Sequence, residues 1–208
     1  MDSLRKLEQI FSSFPGIGPR QAKRFVHFIL SRPDSFTQEL TSLLSELKKS
    51  SRQCNSCQRI FIDSNEKVSN SGLCKICSNA NRDMSKLMIV STESDFESIE
   101  KSSVYDGLYF IVGGVVPILD KEPDKRIRLF KLLEHINANP NISEVILSMS
   151  TTPDGEHTGT IIKESIQKIL EKSHRNIKIS ILGRGLSTGA EIEYADPETL
   201  RSALENRK

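Results

Sequence analysis

Four cysteines in one segment, CNSCQRIFIDSNEKVSNSGLCKIC, are the residues of this 208-residue chain whose type and spacing point most directly to chemistry. They form two CxxC pairs with sixteen residues between them. Each CxxC turn aims two thiolates at one point, and two such turns complete the tetrahedral four-sulfur shell that Zn²⁺ favours, the pattern of a zinc ribbon. Cys54, Cys57, Cys74 and Cys77 fill all four positions, so no place is left for a catalytic water, and one structural zinc ion per chain is expected. Two disulfides are the other use of four cysteines. They fit a reducing cytoplasm poorly, and a thioredoxin-like pair does not account for the second CxxC. The ribbon's own role stays open between binding nucleic acid, binding protein and stiffening a junction.

A second candidate site is FPGIGPRQAKRFVHFIL, near the N-terminus. Leu4, Leu7 and Phe11 before it, and Ala22, Phe25, Val26 and Ile29 within it, recur at helical spacing and predict two helices. Pro15, Gly16 and Gly18 form a tight turn between them, and Pro19 suits the first position of the second helix because it has no amide hydrogen to leave unpaired. With no side chains at Gly16 and Gly18, the amides of the helix start can approach an anion, helped by the helix dipole. Arg20, Lys23 and Arg24 are placed to reach neighbouring phosphates. The pattern resembles the helix-hairpin-helix motif, which grips a DNA backbone without reading sequence; the plainer reading is a helical pair with a solvated basic face. His27 has two readings, a phosphate contact or a partly buried packing role. Phe36, Leu40, Leu43, Leu44 and Leu47 predict a third helix that closes the module.

From Lys86 onward, apolar runs alternate with helical patterns. LMIVS, LYFIVGG, EVILSM and IKISIL read as strands; SDFESIEKS, PDKRIRLFKLLEHI and TGTIIKESIQKILEKS read as helices. Near-continuously apolar strands separated by helices predict an α/β fold with a parallel sheet covered on both faces. Ser94 and Glu97 are expected to form a capping box at the first of these helices. Function in such sheets gathers at the carboxyl ends of the strands, where Glu93 and the turn STTPDGE, Ser150 to Glu156, both fall.

A strand ending in Glu, followed later by a strand ending in an acidic turn, resembles the Toprim domain of topoisomerases, primases and some nucleases. In that family the glutamate transfers protons and two aspartates hold Mg²⁺ beside a phosphodiester. Counted back from Gly155, the aspartate positions fall on Ser150 and Thr152, whose hydroxyls lack the anionic oxygen a hard ion takes. Without paired carboxylates, stabilisation of the phosphoryl transition state loses its main source. Glu93, Asp95, Asp154 and Glu156 remain, as carboxylates capping the next helix or as parts of a partner interface. Tyr105, Tyr109 and Tyr194 read as sheet-edge or packing residues rather than strand-attacking nucleophiles, and His135, His157 and His174 show no ligand or triad spacing.

The order of modules, helical hairpin, four-cysteine ribbon, Toprim with a degraded metal turn, and the tail GRGLSTGAEIEYADPETLRSALENR, resembles the RecR family of bacterial recombination mediators over essentially the whole chain. The resemblance implies four segments: a helix-hairpin-helix DNA-binding module at 1–53, the ribbon at 54–82, Toprim at 83–182 and an oligomerisation segment at 183–208. It implies a non-enzyme that assembles into ring-like homo-oligomers, binds DNA, and works with RecO and RecF to load the RecA recombinase onto single-stranded DNA during repair. Carried over by position, Gly16, Gly18, Arg20, Lys23 and Arg24 contact DNA and the four cysteines hold Zn²⁺. The same resemblance implies that Glu93, Asp95 and Glu156 meet RecO rather than a metal and that the tail around Glu193, Tyr194 and Asp196 helps join subunits. The chain departs from the family pattern at VVPILDKEP, which replaces a Ser-Pro pair and a Gly-x-Gly-Pro loop, and at Ser187 and Ala190 in the tail. The alternative from another class is a metal-dependent Toprim nuclease or topoisomerase-like enzyme; a third is a zinc-bearing protein-interaction module.

Composition sets the frame for these readings. The chain is 37% hydrophobic and 27% charged, as expected of a globular protein, and no apolar stretch approaches the roughly 20 residues that span a bilayer. Its first residues, MDSLRKLEQI, lack the basic-then-apolar pattern of a signal peptide, so a cytoplasmic location is expected, and the family resemblance implies association with the nucleoid. The formal charge of +2 is uneven: Met1 to Arg82 carry 13 Lys/Arg against 7 Asp/Glu, so a polyanion is expected to meet the N-terminal part first.

Overall fold

The computed structural model describes residues 2–62, 72–120, 122–183, 185–186, 189 and 191–205. These form two compact units, one made of the N-terminal helices up to Ser51 together with Ile62, the other beginning at Arg52 and holding the cysteines, the sheet and the tail.

The first unit is three helices, α1 (Ser3–Ser12), α2 (Pro19–Leu30) and α3 (Asp34–Ser50). Asp2 caps α1 by accepting from the Leu4 amide at 3.3 Å. Phe11 meets Phe14 and Phe25 edge-on at 5.6 and 5.7 Å, sealing α1 against α2. Ala22 and Val26 are the fully buried residues of α2, and Phe28 meets Phe36 at 6.0 Å to bring in α3. The expected third helix forms, but it does not bury its apolar stripe: Leu43, Leu44 and Leu47 are 55, 58 and 50% exposed. Three short helices supply too little interior to cover a second face of α3.

After α3, β1 (Ser51–Gln53) and β2 (Ile60–Ile62) form a two-stranded sheet that frames the first CxxC. A four-stranded parallel sheet follows, β3 (Asp83–Val90), β4 (Gly107–Ile111), β5 (Glu144–Ser148) and β6 (Lys178–Ile181), in the order β4-β3-β5-β6. The chain passes from β3 through α4 (Glu93–Ser102) to β4 on one side, then through α5 (Pro123–Arg126) and α6 (Leu129–Ala138) to β5 on the other side of β3. It continues through α7 (Pro153–Ser173) to β6, and ends in a 3₁₀ turn (Ile192–Tyr194) and α8 (Pro197–Glu205). Leu87, Ile89, Val145 and Leu147 pack with Leu132, Ile136, Ile162 and Ile166 in one core cluster, while Met88, Val90, Tyr109 and Ile111 pack with Phe96 in another. Burial of both faces explains why these strands read as continuous apolar runs.

Two sequence expectations are corrected. The box at the start of α4 is made by Thr92 and Asp95 instead of Ser94 and Glu97: the Asp95 amide donates to Thr92 Oγ1 at 3.3 Å and the Thr92 amide to Asp95 Oδ2 at 2.9 Å. The strand stops at Val90, one residue early, so the helix starts two residues sooner. The single helix expected over PDKRIRLFKLLEHI is two, because Ile127 is extended and buried and the Arg128 amide donates to Val112 O at 2.8 Å. Docking that segment on the end of β4 satisfies the backbone better than an unbroken helix would. Among the described residues no helix is long and apolar enough to cross a membrane.

Candidate metal centre and nucleic-acid interface

The two CxxC turns converge. The ligand atoms of Cys54, Cys57, Cys74 and Cys77 all lie within 4.8 Å of one another, and Cys57 and Cys74 Sγ are 3.6 Å apart. Four thiolates at about 2.3 Å from one ion stand about 3.8 Å from each other, whereas a disulfide requires about 2.05 Å. The cysteines are free, and the cluster fits a single four-thiolate metal ion. Local backbone builds the cradle: the Cys54 amide donates to Arg59 O at 2.8 Å, the Cys74 amide to Cys54 Sγ at 3.3 Å, and the Asn55 amide to Gly72 O at 2.9 Å, which ties one turn to the other. Gln58, with φ of 64°, turns the chain out of the first knuckle.

The first knuckle is also fastened to the sheet, residue by residue. Cys57 O accepts from the Ile111 amide at 2.9 Å, Gln58 Oε1 from Lys131 Nζ at 3.0 Å, and the Ile60 amide donates to Glu93 Oε1 at 2.6 Å. Between them, the Arg59 guanidinium lies 4.4 Å over the Phe96 ring and 3.7 Å from Glu93 Oε2. No sequence signal announces these contacts, since they join positions 33 to 73 residues apart.

Glu93 and the turn STTPDGE follow the carboxyl ends of the neighbouring strands β3 and β5, where the order of connection reverses and where ligands bind in open α/β sheets. Three of the four acids that could have held a metal there have another task. Glu93, the first residue of α4, accepts from Ile60; burial raises its pKa, overriding the pull of the Ile60 amide, Arg59 and Arg128. Asp95 is occupied by its cap, and Asp154 Oδ1 accepts from the Ile118 amide at 3.2 Å, pinning the loop after β4. At the turn itself, the Ser150 and Thr152 hydroxyls bond each other at 2.9 Å, and Thr152 caps α7 through the Gly155 amide. A Cβ on Gly155 would collide with Ser150 O, so the tightness of the turn depends on that glycine. Glu156 is exposed beside a cavity of about 560 Å³ that Lys163 also lines. Tyr105 and Tyr109 are packing residues, as expected: burial raises both pKa values, and their rings meet at 5.1 Å. Arg82, which the sequence reading passed over, clamps this side of the sheet by pairing with both oxygens of Glu100 at 3.0 and 2.9 Å and donating to Gly107 O.

In the first unit, Gly16 takes φ of 75° and Gly18 is the N-cap of α2, with Pro19 in its first turn. Arg20, Lys23, Arg24 and His27 are all exposed and follow i, i+3, i+4, i+7, so they share one stripe of α2 opposite buried Ala22 and Val26. His27 thus stands with the basic residues and not in the packing.

Comparison with known proteins decides the family. A family model described as the Toprim domain matches residues 85–182, and one described as RecR, C-terminal, matches 185–208. "Recombination protein RecR" of Lactobacillus acidophilus is 32% identical over 197 residues, covering 95% of this chain and 92% of the relative. The protein of the same name from Roseiflexus castenholzii is 34% identical over 205 residues (99% and 92%), and that from Bifidobacterium adolescentis 31% over 207 (99% and 96%). This chain belongs to the RecR family of recombination proteins. The α/β fold, the four-cysteine cluster and the Toprim sheet expected of a RecR protein are all present. In the RecR tail, Tyr194 and Ile192 are 80 and 67% exposed, whereas Asp196 caps α8 by accepting from the Thr199 amide at 2.9 Å. Ser187 and Ala190 lie outside the described residues.

Proposed function

We propose that this protein is a non-catalytic, DNA-binding recombination mediator acting in DNA repair, which helps load RecA onto single-stranded DNA together with RecO and RecF. The observation that carries this reading is the diversion of the Toprim acids: Glu93, Asp95 and Asp154 are hydrogen-bonded to backbone amides, and hydroxyls stand at the two metal-turn positions. A face so arranged lacks the pair of free carboxylates that Mg²⁺ needs to assist phosphoryl transfer. The basic stripe of α2 above the PGIG turn supports backbone binding through Gly16, Gly18, Arg20, Lys23 and Arg24.

In this reading the four cysteines hold one structural Zn²⁺, the cytoplasm and nucleoid are the site of action, and the chain divides into hairpin, ribbon, Toprim and tail at 53, 82 and 182. Exposed Leu43, Leu44 and Leu47 on α3, and Ile192 and Tyr194 in the tail, support assembly of a ring-like homo-oligomer. Glu156 supports a RecO contact more directly than Glu93 or Asp95, because it is the exposed member of the three.

The test is supercoiled plasmid incubated with zinc-loaded protein and Mg²⁺ or Mn²⁺, run before and after protease. Retarded DNA that recovers its topology after protease is the expected result. Nicked or relaxed DNA that requires the metal and disappears in Glu93→Gln would establish the nuclease or topoisomerase alternative instead.

A further inference from the structure

A cavity of about 400 Å³ opens at the carboxyl end of β4, lined by Gly113, Lys125, Arg126, Arg128, Phe130 and Lys131 among others. Four cations and an aromatic ring therefore share one concavity, on a different unit from the α2 stripe. Two of the cations are already neutralised: Lys125 pairs with Glu122 at 2.7 Å and Arg126 with Asp120 at 2.6 Å. The other two are not. Among the described residues, Arg128 and Lys131 form no ion pair within 4.0 Å; Arg128 Nη1 donates to Ile111 O at 3.0 Å and Lys131 Nζ to Gln58 Oε1 at 3.0 Å, both uncharged acceptors. A guanidinium has five N–H donors, so most of those on Arg128 remain to be used. Glu93 is near enough for Arg128 to pull on its pKa, but it is already held by Ile60 and Arg59.

The placement of Arg128 is built in. Gly113, at φ of 97°, leaves room for the guanidinium against the backbone, where a Cβ would stand 2.7 Å from Arg128 Nη1. Phe130 lines the same cavity with 69% of its surface exposed, while Leu129 and Leu132 on the same helix are buried in the core. Cations that follow a backbone, next to an aromatic face that accepts any base, are the parts from which single-strand binding sites are made.

We propose that this cavity is a second contact for single-stranded nucleic acid, in which Phe130 stacks on a base while Arg128 and Lys131 hold the adjoining phosphates. An acidic peptide would use the two cations but has no part for the ring, which is why nucleic acid is favoured. The inference rests on the reading that the protein binds DNA, and the test separates the two.

The experiment is fluorescence anisotropy of labelled oligothymidylate with full-length, zinc-loaded protein over a salt series, comparing wild type, Phe130→Ala, Lys131→Gln and Lys23→Ala/Arg24→Ala. Phe130→Ala removes only an exposed ring and is expected to weaken binding by roughly tenfold, an effect that vanishes on an abasic oligomer. Lys131→Gln is expected to lower the slope of log affinity against log salt by about 0.7. Wild-type affinity and slope for both variants, with binding lost in Lys23→Ala/Arg24→Ala, would overturn the second contact and leave the hairpin reading standing. Unchanged binding in all variants would remove both. If both variants bind oligothymidylate normally while Lys131→Gln loses affinity for a polyglutamate peptide, the cavity is a protein-docking site and the proposal is wrong.

Discussion

Replacing Glu93 tests whether this residue is a catalytic acid or a structural acceptor, because the two roles make opposite demands on alanine and glutamine. As an acceptor, Glu93 takes the Ile60 amide at 2.6 Å and faces Arg59, whose Nε is buried without a hydrogen bond. Glu93→Ala removes the acceptor of the Ile60 amide and the counter-charge of Arg59, which keeps only the Phe96 ring. A hydrogen bond to a charged group contributes about 1.5–3 kcal/mol, but Ile60 is 56% exposed, so water replaces part of it and about 1 kcal/mol is expected from this contact. The Arg59 pair, long at 3.7 Å and partly exposed, adds about 0.5 kcal/mol. Glu93→Gln keeps an oxygen for the amide and removes a charge that burial opposes, so its stability should stay within about 0.5 kcal/mol of wild type at pH 7. The pH dependence has a definite sign. Because burial raises the folded pKa above the ordinary glutamate value of 4.5, the group's stabilising contribution is present below 4.5 and lost as pH rises through the folded pKa. Wild type should therefore gain on Glu93→Gln as pH falls from 7 toward 4.5. Urea unfolding across that range, with hydrogen exchange at the Ile60 amide, gives the answer. Glu93→Ala as stable as wild type, or Glu93→Gln the more damaged of the two, would refute the acceptor role.

Three further outcomes are expected. Stripping the metal with a chelator should raise hydrogen exchange at Ile111 and across the start of α4 as well as in the ribbon, since Cys57 and Ile60 are bonded to those elements; exchange changes confined to the cysteine segment would show the knuckle to be independent. Gly155→Ala should cost at least about 2 kcal/mol in urea unfolding, because the added methyl meets the backbone oxygen of Ser150, which yields only if the turn opens. Lys23→Ala/Arg24→Ala should lower the slope of log affinity for duplex DNA against log salt by up to about 1.8, one phosphate contact for each residue; an unchanged slope would remove α2 from the interface.

Much of the site was legible in the sequence because its signals are local. The spacing of Cys54, Cys57, Cys74 and Cys77 already implied convergence, since a CxxC turn is a few backbone torsions and two of them make one tetrahedron. The PGIG turn was legible for the same reason: Gly16 supplies a positive φ and Pro19 starts a helix whatever the rest of the chain does. The apolar runs of β3, β4 and β5 told of a doubly covered parallel sheet, because burial on both faces removes polar residues from both. Local signals were weaker at boundaries. Thr92 and Asp95 match the capping pattern no better than other short polar pairs nearby, and only the end of β3 at Val90 selects them.

What tertiary structure alone decided is the employment of the polar groups. Sequence by itself determined that carboxylates follow β3 and β5, and that serine and threonine stand where a metal turn has acids. That Glu93 serves Ile60, Asp154 serves Ile118, and Lys131 reaches Gln58 depends on partners 33, 36 and 73 residues away. A buried or half-buried polar group takes whatever complement the folded chain brings to it, and that choice has no periodicity to read. The same holds for Arg128 and Phe130. In sequence they belong to an unremarkable helical pattern, and only the break at Ile127, forced by the docking of that segment on β4, turns them into the wall of one cavity.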